Sequence, residues 1–389
     1  MLCLDVVQII CDFSDLKTQI NLIQSCKEYE EYLKIQNLIS TNHINPQITQ
    51  EILQQKKFNR LRYLNASYNK NITNINCLKN SLIELDCSGE CGITQECIND
   101  LKILQKLYAC SNDTITSVNN LKNTLIELTC SGKCGIHQEG IKDLKVLQKL
   151  NASYNDKITN VNHLKNTLIE LNVCNAYGIH QEGIKDLHVL QILDASHNNK
   201  ITNVNHLKDT LIELVCRGEC GIHQEGINDL KILQILDAWN NDGITNVNHL
   251  KDTLIELHCR SECGIHQKGI KDLKVLQILD ASHNDKITDV NHLKDTLSEL
   301  DCCYICGIQQ EGINSQFQKL EKIYASCNNK ITNVNHLKDT LSVLDCTGSC
   351  GIGQEGINDL KILQKLYVCN NDKITNVDHL KNTLIELEL

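Results

Sequence analysis

Residues Leu190–Ile232 read LQILDASHNNKITNVNHLKDTLIELVCRGECGIHQEGINDLKI, and most of the chain is a variation on this 43-residue sentence. It begins at Leu61 and restarts at Leu104, Leu147, Leu190, Leu233, Leu276, Leu320 and Leu363. A fixed period of this size marks an architecture of stacked supersecondary units, each unable to bury its apolar face alone. The sentence has two halves. The first runs L-x-x-L-x-A-x-x-N-x-x-I-T-x-V-x-x-L and the second L-x-x-L-x-C-x-x-x-C-G-I-x-Q-x-x-I-x-x-L. Both place leucine at positions 1 and 4, a small apolar residue at 6 and isoleucine at 12.

That pattern resembles the leucine-rich repeat family, whose units run L-x-x-L-x-L-x-x-N/C-x-L. The resemblance covers residue 61 to the end. It implies an α/β solenoid, a horseshoe with a parallel concave sheet built from positions 3–5 of each unit. Positions 1, 4, 6 and 12 then point inward. The asparagine at position 9 of every first half (Asn69 through Asn371) bonds neighbouring backbone through its amide.

Residues 1–40 do not repeat. Apolar residues at helical spacing (Val6, Ile9, Ile10, Phe13, then Leu16, Ile20, Ile23) predict two or three short helices, a small N-terminal head. Leu2, the Asp5-Val6-Val7 triplet, Ile9-Ile10, Asp15-Leu16-Lys17 and Cys26-Lys27-Glu28-Tyr29 resemble an F-box, the helical module that docks on the Skp-type adaptor of cullin-RING ubiquitin ligases. Cys3 stands at a usual proline, Ser14 at a usual leucine and Tyr29 at a usual tryptophan. The resemblance assigns adaptor contact to Leu2, Leu4, Val6, Val7, Ile9, Ile10 and Leu16. The same helices would also cap the first repeat, because terminal repeats need covering. Residues 41–60 read as a linker, with its turn at Thr41–Pro46, and the back half of a repeat lacking its strand. The array proper is 61–389.

The net charge of −10 argues against a nucleic-acid partner, which calls for clustered Lys and Arg. No apolar run approaches the length of a membrane span. Asp5, Gln8 and Asp12 interrupt the N-terminal apolar residues, unlike a signal peptide. Of 22 cysteines, twelve form one regular pair per period, from Cys87/Cys91 to Cys346/Cys350. A disulfide framework would imply a secreted receptor, whereas buried reduced thiols imply the cytoplasm. Successive pairs stand about 10 Å apart at a strand spacing near 4.8 Å, too far for one tetrahedral zinc site, so no metal is expected. Two histidine ladders, His163 to His379 and His137 to His266, follow from duplication. At the C-terminus, Glu386 and Glu388 are charges of the kind that discourage edge pairing.

There is no phosphate loop, G-x-S-x-G or H-E-x-x-H, and Ser, His and Asp recur with the period instead of converging. The chain reads as non-enzymatic and without a cofactor. Function should lie where the repeats differ. Position 7 of three successive strands carries Arg217, Trp239 and Arg260, with Trp239 the only tryptophan, and position 5 carries Asp194, Asp237 and His258 among its neighbours. Exposed Trp and Arg are enriched at binding hot spots. Two arginines flanking an indole are also within cation–π reach. These six residues are the candidate contacts for a protein partner on the concave face. Two roles follow: substrate-binding subunit of a ubiquitin ligase, or a free-standing scaffold or inhibitor whose helices only cap.

Overall fold

The computed structural model describes residues 4–12, 16–35, 37–38 and 49–388. Contacts divide the chain into two compact units, Met1–Leu190 and Gln191–Leu389.

In the first unit, α1 (Leu4–Asp12), α2 (Leu16–Gln24) and α3 (Lys27–Tyr32) precede a run of short strands: β1 (Asn37–Leu38), β2 (Tyr63–Asn65), β3 (Glu84–Asp86), β4 (Lys106–Tyr108), β5 (Glu127–Thr129), β6 (Lys149–Asn151) and β7 (Glu170–Asn172). Each pairs with its chain neighbour in parallel. β1 corrects one expectation. The half-repeat before residue 61 does have its strand, two residues long, pairing Asn37 with Tyr63 and Leu38 with Leu64. The Gln8 side chain holds the backbone just before it, donating to the Lys34 carbonyl and accepting from the Lys34 N–H, both at 2.8 Å.

The second unit continues the pattern with β8 (Ile192–Asp194), β9 (Glu213–Val215), β10 (Ile235–Asp237), β11 (Glu256–His258), β12 (Ile278–Asp280), β13 (Glu299–Asp301), β14 (Lys322–Tyr324), β15 (Val343–Asp345), β16 (Lys365–Tyr367) and β17 (Glu386–Glu388), again parallel throughout. Three-residue strands suffice because each strand sends one apolar residue, position 4, into the core, and the leucine spine supplies the rest. Leu233, Leu236, Ala238 and Ile244 in one half-period, and Leu254, Leu257, Cys259 and Ile265 in the next, are wholly buried. Fully burying one such side chain contributes roughly 1.5–3 kcal/mol, so stacking stabilises what a single unit could not.

Between the spines run polar ladders. Asn284 is typical: its amide donates to the carbonyls of Cys259 (2.7 Å) and Ile265 (3.1 Å), and its Oδ1 accepts from the Lys286 N–H (2.9 Å). A glutamine ladder does the same at the opposite turn, where Gln267 accepts from the N–H groups of Thr288 and Asp289. The histidines are structural as well. Nε2 of His163, His249, His292 and His336 donates to a carbonyl of the preceding turn at 2.7–3.0 Å, and burial holds these rings below the ordinary histidine pKa.

Position 8 of every unit adopts a left-handed conformation, at Gly89, Gly132, Gly218 and Gly348 but also at Tyr154, His197 and Tyr304. At Gly218 a Cβ would lie 2.2 Å from the His197 ring as it stands, whereas Tyr304 in the same position stacks on the His283 ring with centroids 4.4 Å apart. The period that begins at Leu276 is one residue longer than the others, and Phe317 is buried where leucine stands in other periods.

Cys130, Cys134, Cys259, Cys263, Cys302 and Cys306 are buried free thiols, and burial pushes Cys134, Cys263 and Cys306 up to about 11. No helix among the described residues is long and apolar enough to cross a membrane.

Candidate functional site

The candidate site lies wholly in the second unit, on the exposed face of β8 to β13. Parallel register sets Asp194, Val215, Asp237, His258, Asp280 and Asp301 side by side in one row. Two residues further along each chain, Arg217, Trp239 and Arg260 form a second row. Towards the C-terminus the position-3 row instead holds Lys322 and Lys365, which close ion pairs with Glu299 at 2.9 Å and Glu386 at 2.6 Å. In the candidate site Ile192, Ile235 and Ile278 replace those lysines, so Ile235 sits between Glu213 and Glu256. Position 3 there alternates isoleucine with glutamate and leaves those glutamates without a lysine on the neighbouring strand.

Asp237 and Asp280 each do two things. Oδ1 of Asp237 accepts the Trp239 N–H at 3.1 Å and Oδ1 of Asp280 accepts the Ser282 N–H at 3.1 Å, a local turn that sets the direction of the outgoing loop. The remaining oxygen takes a guanidinium from the strand before. Arg217 meets Asp237 Oδ2 through Nη2 at 2.6 Å and Nε at 2.8 Å, and Arg260 Nε meets Asp280 Oδ2. Asp237 and Asp280 are consequently buried, and Asp237 is a support under Arg217, not the displayed contact expected from the sequence. The arginines remain about half exposed.

Trp239 stands between them with 44% of its surface exposed, its indole N–H donating to Ser261 Oγ at 3.2 Å. The three residues follow β9, β10 and β11 at the same register, two residues beyond Val215, Asp237 and His258. Residue spacing did not show that each guanidinium is directed by a carboxylate and the indole by a serine. Asp194 is half-buried at the edge of the row.

His258 is the member whose chemistry departs most from its ordinary state. Its Nε2 lies 2.6 Å from Glu256 Oε1 and its Nδ1 3.5 Å from Asp280 Oδ2. The second distance is an ion pair and too long for a hydrogen bond. Asp280 is the main cause of a pKa raised to about 9; burial opposes it and Glu256 adds to it. Asp280, despite burial, is held below the usual carboxylate range by His258, Ser282 and Arg260. Asp301 goes the other way, raised by burial and by Asp280 beside it. At neutral pH the centre of the face is a fixed array of alternating charge around one exposed indole.

The head residues are distributed unevenly. Val6 is exposed on α1, Leu4 is half-buried, and Val7 is buried, so Val7 packs the head and offers nothing to an adaptor. The backbone places Ile9 and Ile10 in α1 and Leu16 at the start of α2. Leu2 and residues 41–46 lie outside the described residues.

Repeat length, parallel strands and the position-9 asparagine ladder together define a leucine-rich repeat solenoid. A leucine-rich repeat protein of Leptospira interrogans, LIC12759, is 26% identical over 85% of this chain and 88% of its own, with a TM-score of 0.54. Weaker likenesses are to the internalin InlF of Listeria monocytogenes, 19% identical over 88% and 89% of the two chains with a TM-score of 0.44. Rad7 in its yeast complex with Elc1 is 14% identical over 98% and 92%, with a TM-score of 0.47. No protein-family model matches the chain and no curated protein does.

Proposed function

We propose that this chain is a non-enzymatic recognition protein that binds a protein partner through Arg217, Trp239 and Arg260, with Asp237, His258 and Asp194 shaping the contact. One observation carries the reading: two arginines half exposed yet anchored on buried carboxylates, either side of the only tryptophan. Anchoring removes much of the rotamer entropy that ordering an arginine at an interface otherwise costs, about 0.5–1.5 kcal/mol per side chain. In the fuller form of the proposal, α1 to α3 dock on a Skp-type adaptor, and the chain delivers its partner to a cullin-RING ubiquitin ligase in the cytoplasm.

The two parts are tested separately. Trp239→Ala, exposed and outside the leucine spine, is expected to weaken partner binding by about 2 kcal/mol or more with unfolding stability unchanged; equal affinity retires the site. Val6→Asp, also exposed, is expected to abolish capture of a purified Skp-type adaptor by the full-length protein. If wild-type protein captures no adaptor, the second role stands, a scaffold or inhibitor with a helical cap. Burial of Val7 and the Gln8 clamp on Lys34 favour that role.

A further inference from the structure

On the sheet face of the first unit, Tyr63, Leu64 and Asn65 of β2, Glu84 and Asp86 of β3 and Tyr108 of β4 line a hollow of about 100 Å³. Parallel register sets Tyr63 beside Glu84, and Asn65, Asp86 and Tyr108 side by side in the next row. Tyr63 stands alone in its column, where every other first half carries lysine or isoleucine.

Bonds within the fold fix what each group has left to offer. Tyr108 donates its hydroxyl to Glu127 Oε1 at 2.9 Å, so its ring and not its hydroxyl is available to a ligand. Asp86 Oδ1 accepts the Ser88 N–H at 3.0 Å, and its Oδ2 keeps no hydrogen bond among the described residues. Lys106 is the cation shared by Glu84, at 3.8 Å, and Glu127, at 3.5 Å. Three carboxylates thus divide one ammonium, and the hollow is left negative. Asn65 Oδ1 accepts the Ser67 N–H and hydroxyl at 3.0 and 2.6 Å, which leaves the amide nitrogen of Asn65 as a donor.

Walls and size together select the occupant. β2 and β4 are two strand spacings apart, about 10 Å, so a flat cation between Tyr63 and Tyr108 meets both rings within the cation–π range of about 6 Å. A cavity of about 150 Å³ is what a benzene ring occupies. The hollow is smaller than that and does not take in a sugar ring, whereas the four heavy atoms of a guanidinium fit. An ammonium is a compact point charge, but a guanidinium presents a planar fork to carboxylates and stacks on aromatic faces. Glu84 and Asp86, two residues apart on one strand, point to the same side of the sheet and can share that fork.

We propose that this hollow binds an arginine side chain carried by another polypeptide. The guanidinium lies between Tyr63 and Tyr108 on Glu84 and Asp86, and the peptide carbonyl of that arginine accepts from the Asn65 amide. The hollow shares no residue with the contact around Trp239, so either can fail without the other.

The test is an amide NMR titration of the full chain with Nα-acetyl-arginine N-methylamide. Saturable shifts are expected at Asn65, Leu85 and Asp86. The citrulline analogue, alike in shape and uncharged, is expected to bind at least about tenfold more weakly because its bonds to the carboxylates lose their charge assistance. The lysine analogue, without the fork, is expected to bind at least about threefold more weakly. Asp86→Asn is expected to weaken binding at least about fivefold. It keeps the local turn, since Asn65 and Asn151 make the same bond to Ser67 and Ser153. Tyr63→Lys, which copies Lys106 and Lys149 of the next two periods, puts an ammonium of the chain's own beside the hollow and is expected to abolish binding. Absence of saturable shifts, or unchanged affinity with any one of these four changes, overturns the proposal. Methylguanidinium binding as tightly as the blocked arginine would assign the hollow to a small cation and refute a polypeptide ligand.

Discussion

His258 is the sharpest test of the candidate site, because its state follows from geometry that one substitution removes. The ring sits between Glu256 at 2.6 Å and Asp280 at 3.5 Å, and is protonated up to about pH 9. Against an unperturbed value of 6.5, that shift corresponds to about 3 kcal/mol of preference for the charged ring in the folded protein. Its sign fixes the pH window. A raised pKa means stability fully present below about 6.5 and lost as pH rises through about 9. Asp280→Asn removes the principal cause while keeping the shape of the side chain and its bond from the Ser282 N–H. The pKa is then expected to fall by at least about one unit, with Glu256 keeping some of the shift, since one unit is 1.36 kcal/mol. Long-range proton–nitrogen NMR resolves histidine titrations, and His258→Gln assigns the resonance. Urea unfolding of wild type and His258→Gln should show a gap at pH 6.5 that closes by pH 10. A wild-type ring titrating near 6.5, or Asp280→Asn leaving it in place, would refute the view of Asp280 as the buried anion organising this face.

Two further outcomes bear on the scaffold. Asn284→Ala should cost about 2–4 kcal/mol in urea unfolding, because it strands two buried carbonyls and one N–H, whereas Asn291→Ala, on an exposed turn and bonded only to outer backbone, should cost under about 1 kcal/mol; equal costs would contradict the ladder's role. In the native protein at pH 8, iodoacetamide should label exposed Cys26 well before Cys263 or Cys306, whose thiols are buried and raised to about 11, and denaturant should abolish the difference. Equal native labelling would show that those thiols are not core residues.

The spine was legible because leucine spacing in this sequence serves one purpose: positions 1, 4, 6 and 12 have only one way to leave water, and a period of 43 repeats that solution. The site was legible in part, since Trp239 and the two arginines stand out against the serines, cysteines and threonine that fill their columns. Their partners were not. The carboxylate each arginine takes depends on Asp237 and Asp280 using one oxygen for their own turn and offering the other backwards, a choice of side-chain direction that residue spacing does not encode. β1 escaped notice because it is two residues long and follows Ile35, where the usual leucine would stand. The histidine ladder looked like a by-product of duplication because a ring bonded to a neighbouring turn leaves no pattern different from one that is merely copied.

Duplication itself supplies the remaining argument. When a sentence is copied with few changes, a residue matching its column says little about function, for inheritance alone accounts for it. Departures carry the information, and Trp239 is the plainest of them on the strand face, a tryptophan where its column otherwise holds serine or cysteine. It does not improve the scaffold, since it exposes an indole where serine would cost nothing. That is why the proposed contact is centred on Trp239 and not on the residues that merely repeat.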